Sequence, residues 1–115
     1  MISITENAKD GENMIIKIDF ESDEAIYIQL RNQIIMGIAT DRIHEGDSLP
    51  SVRQLAENIG INMHTVNKAY TVLKQEGYIK LDRRRGAVIA LDIDKIQSIE
   101  RLREELSVLL ARSVC

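Results

Sequence analysis

The residues best equipped for chemistry are three consecutive arginines, Arg83, Arg84 and Arg85, which stand directly before Gly86. A guanidinium group has a permanent positive charge and five N–H donors, so it is suited to binding phosphate oxygens rather than to acid–base catalysis. Three like charges on one short turn repel each other, and only Asp82 lies beside them. We therefore expect the arginines to face an anionic ligand. A solvated surface loop is the alternative interpretation.

A second group of polar side chains lies between Asn62 and Lys68. Val66 and Ala69 have the spacing of the inner face of a helix, which leaves the polar residues on its outer face. Amide, hydroxyl and imidazole groups can form hydrogen bonds with base edges, and an ammonium group can bind phosphate. Alternatives stay open, since Asn62 can act only as a helix cap, and His64 and Lys68 can be ordinary surface residues. The members of this group are Asn62, His64, Thr65, Asn67 and Lys68.

The sequence contains no set of residues suited to an enzyme active site. We find no Ser/His/Asp or Cys/His combination, no glycine-rich phosphate loop and no paired acids in an apolar setting. His44 and His64 lie twenty residues apart, and the single cysteine, Cys115, offers neither a metal cluster nor an internal disulfide. We therefore expect no enzymatic activity, no metal and no cofactor.

The charges are distributed unevenly along the chain. The formal net charge is −3, which argues against binding to nucleic acid. Residues 1–47, however, contain four Lys/Arg and ten Asp/Glu, whereas residues 48–91 contain seven Lys/Arg and three Asp/Glu. The local potential, rather than the net charge, decides where a polyanion binds. The basic middle third is therefore compatible with a nucleic-acid surface, although a segregation of this size also arises by chance.

Patterns in the first 41 residues predict a short strand followed by a helix. Residues 1–13 are polar, contain an Asp-Gly turn signal, and are expected to be flexible. The apolar residues of 14–20 alternate with polar ones, which predicts a strand. From Asp23 to about Asp41 the apolar pattern becomes helical, and Ser22 or Asp23 is the predicted N-cap. The predicted inner face of this helix consists of Ile26, Tyr27, Leu30, Ile34, Ile35 and Ile38.

Two helices on either side of Gly60 form the most specific pattern in the chain. Ser51 and Gln54 make a capping box at the start of the first helix, and Gly60 occupies the position of a left-handed C-cap. Asn62 can cap the second helix, which extends to about Glu76. This spacing is typical of a helix-turn-helix, in which the start of the second helix is exposed and can enter a major groove. A plain helical hairpin is the alternative.

Two short β-rich runs, 78–81 and 87–91, follow these helices and are joined by the arginine turn. They predict a hairpin, so the elements have the order of a winged helix-turn-helix. Arginines at the tip of such a wing can reach a narrow minor groove or the phosphates.

A final helix is predicted within residues 92–115, with Asp94 and Gln97 as its capping box. Its apolar residues step by three and four positions, like the seam of a coiled coil. The stripe either folds back on the first helix or pairs with the same helix of a second chain. We expect a homodimer, because a palindromic operator presents two half-sites. The predicted dimerisation residues are Ile99, Leu102, Leu106 and Leu109.

Several sequence strings resemble the DNA-binding domain of GntR-family regulators. They are AIYIQL at residues 25–30, IHEGDSLPSVRQLA at 43–56, TV at 65–66 and EGYI at 76–79. The pattern G-D-x-L-P-S-x-R-x-L-A is quite specific, and the resemblance covers roughly residues 24–91. The lead-in IKIDF and the short C-terminal segment are similar to the YtrA subfamily, whose members have a brief dimerising helical tail.

The resemblance implies DNA contacts at the start of the second helix, at the exposed start of the third helix and at the wing tip. Many members have an arginine or proline where this chain has Met63, which cannot donate a hydrogen bond and is limited to apolar contact with a base. For Arg53 the alternative is an ion pair with Glu57, four residues later. With the arginine turn included, the predicted DNA-binding residues are Ser51, Arg53, Asn62, His64, Thr65, Asn67, Lys68, Arg83, Arg84, Arg85 and Gly86.

We therefore expect an α+β fold that is mostly α. It comprises a flexible segment over 1–13, a winged helix-turn-helix DNA-binding domain over 14–91 and a helical dimerisation segment over 92–115. The expected protein is a cytoplasmic, sequence-specific transcriptional regulator, acting as a repressor and binding double-stranded operator DNA as a homodimer. The alternative is a winged-helix module for protein–protein interaction.

No apolar run is long enough to span a membrane, so we expect no membrane partner. The 24 residues after position 91 are too few for a separate effector domain. Any small-molecule effector is therefore expected to act at the dimer interface or through a partner.

Overall fold

The described part of the protein consists of helices and two small antiparallel sheets. The computed structural model describes residues 2–3 and 15–114, with side chains described within 16–109. The mostly helical α+β architecture expected from the sequence is confirmed. The elements in chain order are β1 (Ile2–Ser3), β2 (Ile15–Ile16), α1 (Ile26–Ala39), α2 (Val52–Ile59), α3 (Met63–Gln75), β3 (Ile79–Asp82), β4 (Gly86–Ile89) and α4 (Ile93–Val114).

The chain before α1 differs from its sequence-based prediction. The predicted strand over 14–20 is wrong beyond Ile16, since only Ile15–Ile16 is paired, with Ile2–Ser3 as its partner. Phe20, on the apolar side of the predicted strand, is 62% exposed. The segment predicted to be flexible includes the paired Ile2–Ser3. Its other residues, and Met14, lie outside the described residues.

Side-chain amides of α1 bind the backbone that was predicted to be a strand. The buried Gln29 donates to the carbonyl oxygens of Asp19 and Glu24 at 3.0 and 2.9 Å, and its own oxygen accepts from Asp19 N–H at 2.8 Å. Gln33 makes the same pair of hydrogen bonds with the backbone of Lys17. An amide side chain offers a donor and an acceptor side by side, so each glutamine replaces a residue of a neighbouring strand.

Helix α1 begins later than predicted. Its N-cap is Ala25, which provides no side-chain hydrogen bond, so the prediction of Ser22 or Asp23 as the cap is wrong. The Ser22 hydroxyl oxygen instead accepts from Glu24 N–H at 3.1 Å, inside the turn that precedes the helix. Short polar side chains compete for local backbone groups in this way, and the competition delays the start of the helix.

Helices α1 and α3 pack against each other at the centre of the core. Leu30 and Ile34 of α1, and Val66 and Leu73 of α3, are completely removed from solvent. Each fully buried side chain of this size contributes about 1.5–3 kcal/mol. The central residues of the predicted inner faces are therefore confirmed as core residues. Their packing sets the orientation of α3 relative to α1.

An ion pair joins the middle of α1 to the end of α3. Arg31 donates from Nε and Nη2 to the two carboxylate oxygens of Glu76 at 2.5 and 2.8 Å. The hydrogen bonds to Arg31 lower the pKa of Glu76 below its ordinary value, and those to Glu76 raise the pKa of Arg31. The bidentate geometry fixes the C-terminal end of α3 against α1.

The β3–β4 hairpin is attached to the segment that leads into α2. Leu49 N–H donates to the carbonyl oxygen of Ala87 at 2.8 Å, Gly46 N–H donates to that of Ile89 at 2.8 Å, and an antiparallel bridge lies between these bonds. Ser51, the N-cap of α2, follows Leu49 by two residues. The hairpin and the start of α2 are therefore held side by side.

The cap of helix α4 lies two residues before its predicted capping box. Asp92 Oδ1 accepts from Lys95 N–H at 3.0 Å, and Asp94 already lies in the first turn. The prediction of Asp94 and Gln97 as the capping box is therefore wrong. At 22 residues α4 is the longest described helix, yet no helix in the described ranges is both long and apolar enough to cross a membrane.

The first half of α4 folds back on its own domain. Ile99 is buried, while Leu102 and Leu106 are half-buried against the core beside α1. Leu109, the fourth predicted dimerisation residue, is 59% exposed. The part of the apolar stripe from Ile99 to Leu106 therefore packs beside α1, which is the first of the two alternatives. Leu109 is exposed and remains available to another surface.

Arg103 joins this half of α4 to the end of α1. Its Nε donates to the carbonyl oxygen of Ala39 at 3.0 Å, and its Nη2 donates to Ile38 O at 3.1 Å and to the carboxylate of Asp41 at 2.8 Å. The last carbonyl groups of a helix have no partner inside the helix. Arg103 supplies donors to two of them and so fixes α4 in place.

Gly77→Ala is expected to lower the free energy of unfolding by about 1–3 kcal/mol, measured by urea denaturation. Gly77 has a φ of +88°, and a Cβ atom there would overlap the carboxylate of Asp92, the cap of α4. Gly46→Ala is the matched control, because Gly46 has a φ of +90° with open space around it. An equal loss in both variants would show that the contact with Asp92 is unimportant.

Candidate nucleic-acid interface

Helices α2 and α3 begin at the predicted N-caps, although only the Ser51 half of the predicted Ser51–Gln54 capping box is present among the described residues. Ser51 Oγ accepts from Gln54 N–H at 3.1 Å, and Asn62 Oδ1 accepts from His64 N–H at 2.7 Å. Gly60 has φ 80° and ψ 36°, the left-handed conformation that ends α2. Because glycine lacks a Cβ atom, it adopts this conformation without steric cost, and the chain turns sharply into α3.

The N-terminal half of α3 presents one exposed polar face. Val66 and Ala69 lie fully inside the domain, which leaves the residues between and around them facing outward. Met63, in the first turn, is 50% exposed. The predicted polar residues are therefore placed on a surface and not in the core. Asn62, His64, Asn67 and Lys68 are exposed, and Thr65 is half-buried.

Arg53 lies on the exposed side of α2, and its side chain is 78% exposed. Its Nε is 3.5 Å from Glu57 Oε1, so the ion pair given as its alternative role is present. An exposed pair of this kind contributes at most about 1 kcal/mol and is weakened by salt. The guanidinium therefore remains able to exchange this carboxylate for another anion.

Asp82 organises the backbone of the arginine turn. Its Oδ1 accepts from the N–H groups of Arg84 and Arg85 at 2.7 and 3.0 Å, and these hydrogen bonds lower the pKa of Asp82 below its ordinary value. The Arg85 guanidinium donates to the carbonyl oxygen of Gly46, in the turn before α2. Arg83 and Arg84 are exposed, and their guanidinium groups have no ion pair or hydrogen bond within the described residues.

Gly86 ends the turn with a φ of +75° and is exposed. The predicted wing tip therefore contains two unpaired arginines, Arg83 and Arg84, one arginine that braces the wing, and a left-handed glycine. The two unpaired guanidinium groups are the ones free to bind phosphate.

Two tyrosines support this surface, and the sequence indicated neither role. The buried Tyr70 hydroxyl donates to the carbonyl oxygen of Pro50 at 2.7 Å, which ties α3 to the segment before α2. Lys68 Nζ lies 4.2 Å from the centroid of the Tyr27 ring on α1. The helical spacing predicts Tyr27 only as part of the apolar inner face of α1. The hydroxyl group was the signal that could have indicated the role of Tyr70, since a buried tyrosine usually needs a hydrogen-bond partner.

Comparison with known proteins decides the family. The model of the bacterial regulatory proteins of the gntR family matches residues 23–89. The chain belongs to the GntR family. It is 42% identical over 76 residues to the HTH-type transcriptional repressor YtrA of Bacillus subtilis, covering 66% of this chain and 58% of that protein. It is 30% identical over 88 residues to the HTH-type transcriptional regulator YhcF of the same organism, covering 76% of this chain and 70% of that protein.

Solved structures agree with this assignment. YtrA from Sulfolobus acidocaldarius, a GntR-family transcription factor, is 42% identical with a TM-score of 0.66, covering 87% of this chain and 97% of that one. AraR(DBD) in complex with operator ORX1 is 21% identical with a TM-score of 0.56, covering 65% and 96%, which shows a shared fold. The winged-helix fold and the likeness to YtrA are confirmed.

This GntR-family chain is accordingly a DNA-binding transcriptional regulator. Its relatives are regulators and not enzymes, which supports the expectation that no enzymatic activity is present. Within the described residues, no three His, Cys, Asp or Glu side chains are grouped so that they could hold a metal ion.

Tyr70→Phe is expected to lower the free energy of unfolding by about 1–3 kcal/mol at neutral pH, because Pro50 O loses its buried donor. Burial raises the pKa of Tyr70 well above its ordinary value. The stabilisation from the neutral hydroxyl is therefore complete below about pH 10 and is lost as the pH rises further, when the unfolded chain ionises first.

Chemical denaturation of wild type and Tyr70→Phe between neutral and alkaline pH measures this effect. The difference in stability between the two proteins should shrink above about pH 10, where tyrosine ionises in the unfolded chain. A difference that is constant across this range would contradict the role of the Tyr70 hydroxyl.

Proposed function

We propose that this chain is a sequence-specific, cytoplasmic repressor that binds a palindromic operator as a homodimer. The N-terminal turn of α3 enters the major groove, and the β3–β4 hairpin brings its arginines to the phosphates or the minor groove. The observation that carries the proposal is the attachment of Leu49 to Ala87 at 2.8 Å. It supports the proposal because it attaches the hairpin that carries the arginines to the segment that leads into α2.

The acidic side chains of the middle third support this proposal, because each one is already engaged. Glu57 lies beside Arg53, Glu76 is bound by Arg31, and Asp82 accepts from the backbone of the hairpin turn. Residues 48–91 contain only these three acids against seven Lys/Arg. The cations that remain give this surface a positive local potential, although the whole chain has a formal charge of −3.

The helix caps have donors left over for DNA. Ser51 and Asn62 use oxygen lone pairs to accept from backbone N–H groups. The hydroxyl proton of Ser51 and the amide nitrogen of Asn62 therefore remain available to donate to phosphate oxygens. Asn67, one turn further along the exposed face, has the side chain that pairs with both N6 and N7 of adenine. Met63 beside them suits an apolar contact with a thymine methyl group.

The relatives support the proposed direction of regulation and the proposed type of DNA. The Bacillus subtilis YtrA is a transcriptional repressor, and AraR(DBD) was solved with its operator. We carry repression and operator binding over to this chain because its DNA-binding surface is built on the same fold. Any effector would act through the dimer interface or a partner.

We assign the dimer contact to the second half of α4. Leu106 is half-buried, and Val108 and Leu109 are 51% and 59% exposed, so an apolar patch remains beyond the core. Three charged side chains, Arg101, Glu104 and Glu105, line the surface beside this patch. Two such helices from two copies of the chain can bury this patch against each other. Ile99, which was also predicted to contact the partner, lies inside its own domain and contributes by fixing the helix.

Replacing Arg83 and Arg84 by Ala is expected to weaken DNA binding and to reduce the dependence of the association constant on salt. Each lost phosphate contact lowers the slope of log K against log salt by about one. The measurement is fluorescence anisotropy between about 50 and 200 mM salt, a range over which phosphate contacts have large effects. The probe is a duplex that the wild-type protein selects from a random-sequence library.

Lys74→Ala is the matched control for this variant. It also removes cationic charge, but Lys74 lies in the last turn of α3, away from the base-contacting end. Its slope should equal that of wild type. Unchanged affinity in the Arg83/Arg84 variant would contradict the wing assignment. If wild type selects no duplex and shows no salt-dependent binding, the winged-helix domain serves protein–protein contact instead.

Leu109→Glu is expected to produce monomers, because it introduces a charge into the apolar patch of each partner. Ile93→Glu is the matched control, since Ile93 is an exposed apolar residue (74%) at the other end of the same helix. Sedimentation equilibrium measures the oligomeric state of each variant. A dimer that survives Leu109→Glu would contradict this interface, and loss of the dimer should also weaken binding to a palindromic duplex by loss of avidity.

A further inference from the structure

Lys68 differs from the other predicted DNA-binding residues in the way its charge is held. Among the described members of that set, it is the only one whose cationic group rests on an aromatic ring. Its Nζ lies 4.2 Å from the centroid of the Tyr27 ring, within the distance of about 6 Å at which a cation is attracted to a ring face. No carboxylate within the described residues pairs with this ammonium group.

We propose that Tyr27 is a positioning residue for DNA binding. Its ring holds the Lys68 ammonium at the side of α3, where it binds a backbone phosphate at the flank of the operator half-site and contacts no base. The inference rests on the proposed function and defines the role of one residue pair within it.

The direction of the lysine side chain supports a contact outside the groove. Lys68 lies one turn after His64 on the exposed face of α3, and Tyr27 lies in the first turn of α1. Helices α1 and α3 pack against each other along the core. A side chain that reaches from α3 to α1 therefore points sideways from the helix that enters the groove. Phosphates, not base edges, border that helix on its sides.

The ring is a firm support for a flexible side chain. Tyr27 is half-buried, and its packing against the core holds the ring in place. A free lysine loses rotamer freedom when it is fully immobilised. A lysine already held before binding loses less, and the gain appears as affinity. The ring covers one side of the ammonium group, and its other N–H donors remain directed at solvent or a phosphate oxygen.

A double-mutant cycle tests the proposal with the full chain and a duplex selected by the wild-type protein. The variants are Tyr27→Leu, which removes the ring, Lys68→Met, which removes the charge at similar length, and their combination. Tyr27→Phe is the matched control, because it keeps the ring face and removes only the hydroxyl. Dissociation constants are measured over a salt series, and thermal unfolding is measured for each variant.

Lys68→Met is expected to weaken binding and to lower the salt slope by about one, to a similar extent on a duplex with an altered half-site. Tyr27→Leu is expected to weaken binding about two- to fivefold in the presence of Lys68. It should have no effect on binding in the Lys68→Met background. Tyr27→Phe should bind within about twofold of wild type, because phenylalanine retains a ring face for the cation.

Three results would overturn the proposal. An equal loss from Tyr27→Leu in both backgrounds would show that the ring acts through folding, and thermal unfolding would register the same change. A loss from Tyr27→Phe as large as that from Tyr27→Leu would show that the hydroxyl itself contacts DNA. A loss from Lys68→Met confined to one operator sequence would show a base contact. Failure of the wild-type protein to bind any duplex would instead reject the proposed function itself.

Discussion

The short segment between Gly46 and Ser51 is the junction on which the DNA-binding surface depends. Its backbone extends the hairpin by pairing with β4, through bonds of 2.8 Å from Gly46 N–H to Ile89 O and from Leu49 N–H to Ala87 O. A two-stranded hairpin alone is marginally stable in water, and this third stretch of backbone gives it a partner. The segment then ends at Ser51, which caps α2. Between these points the Pro50 carbonyl accepts the buried Tyr70 hydroxyl of α3 at 2.7 Å. The β3–β4 hairpin, α2 and α3 are therefore all attached to the six residues from Gly46 to Ser51.

This dependence explains which parts of the fold could be predicted from the sequence. The caps at Ser51, Gly60 and Asn62 involve partners within four residues, so local patterns of residue type were sufficient. The inner faces of α1 and α3 were equally accessible, because burial repeats with the helical period. The four helices, the β3–β4 hairpin, the turn between α2 and α3 and the position of the arginine turn all followed from such local signals.

Two of the errors arose where a distant partner decided between similar local options. Asp92 and Asp94 both resemble a helix cap, and Asp92 is chosen because its carboxylate fits over Gly77, where any Cβ atom would collide with it. The alternation of residues 14–20 looks like a strand, but Gln29 and Gln33 of α1 bind this backbone instead. The candidate site shows the same limit. Its polar residues were found from spacing, whereas the contact of Lys68 with Tyr27 joins residues from two helices and leaves no local pattern.

The two halves of α4 connect the proposed dimer to the DNA-binding surface. Ile99 is buried in the core of its own domain, and Arg103 binds the terminal carbonyl groups of α1 at 3.0 and 3.1 Å. The direction of the exposed second half is therefore set by α1, which also packs against α3. In a twofold dimer built on Leu109, the two copies of α3 would be separated by rigid helices and not by a flexible linker. A rigid separation favours operators whose two half-sites have one fixed spacing. The fold of each domain would therefore contribute to specificity through this spacing, at base pairs that no side chain contacts.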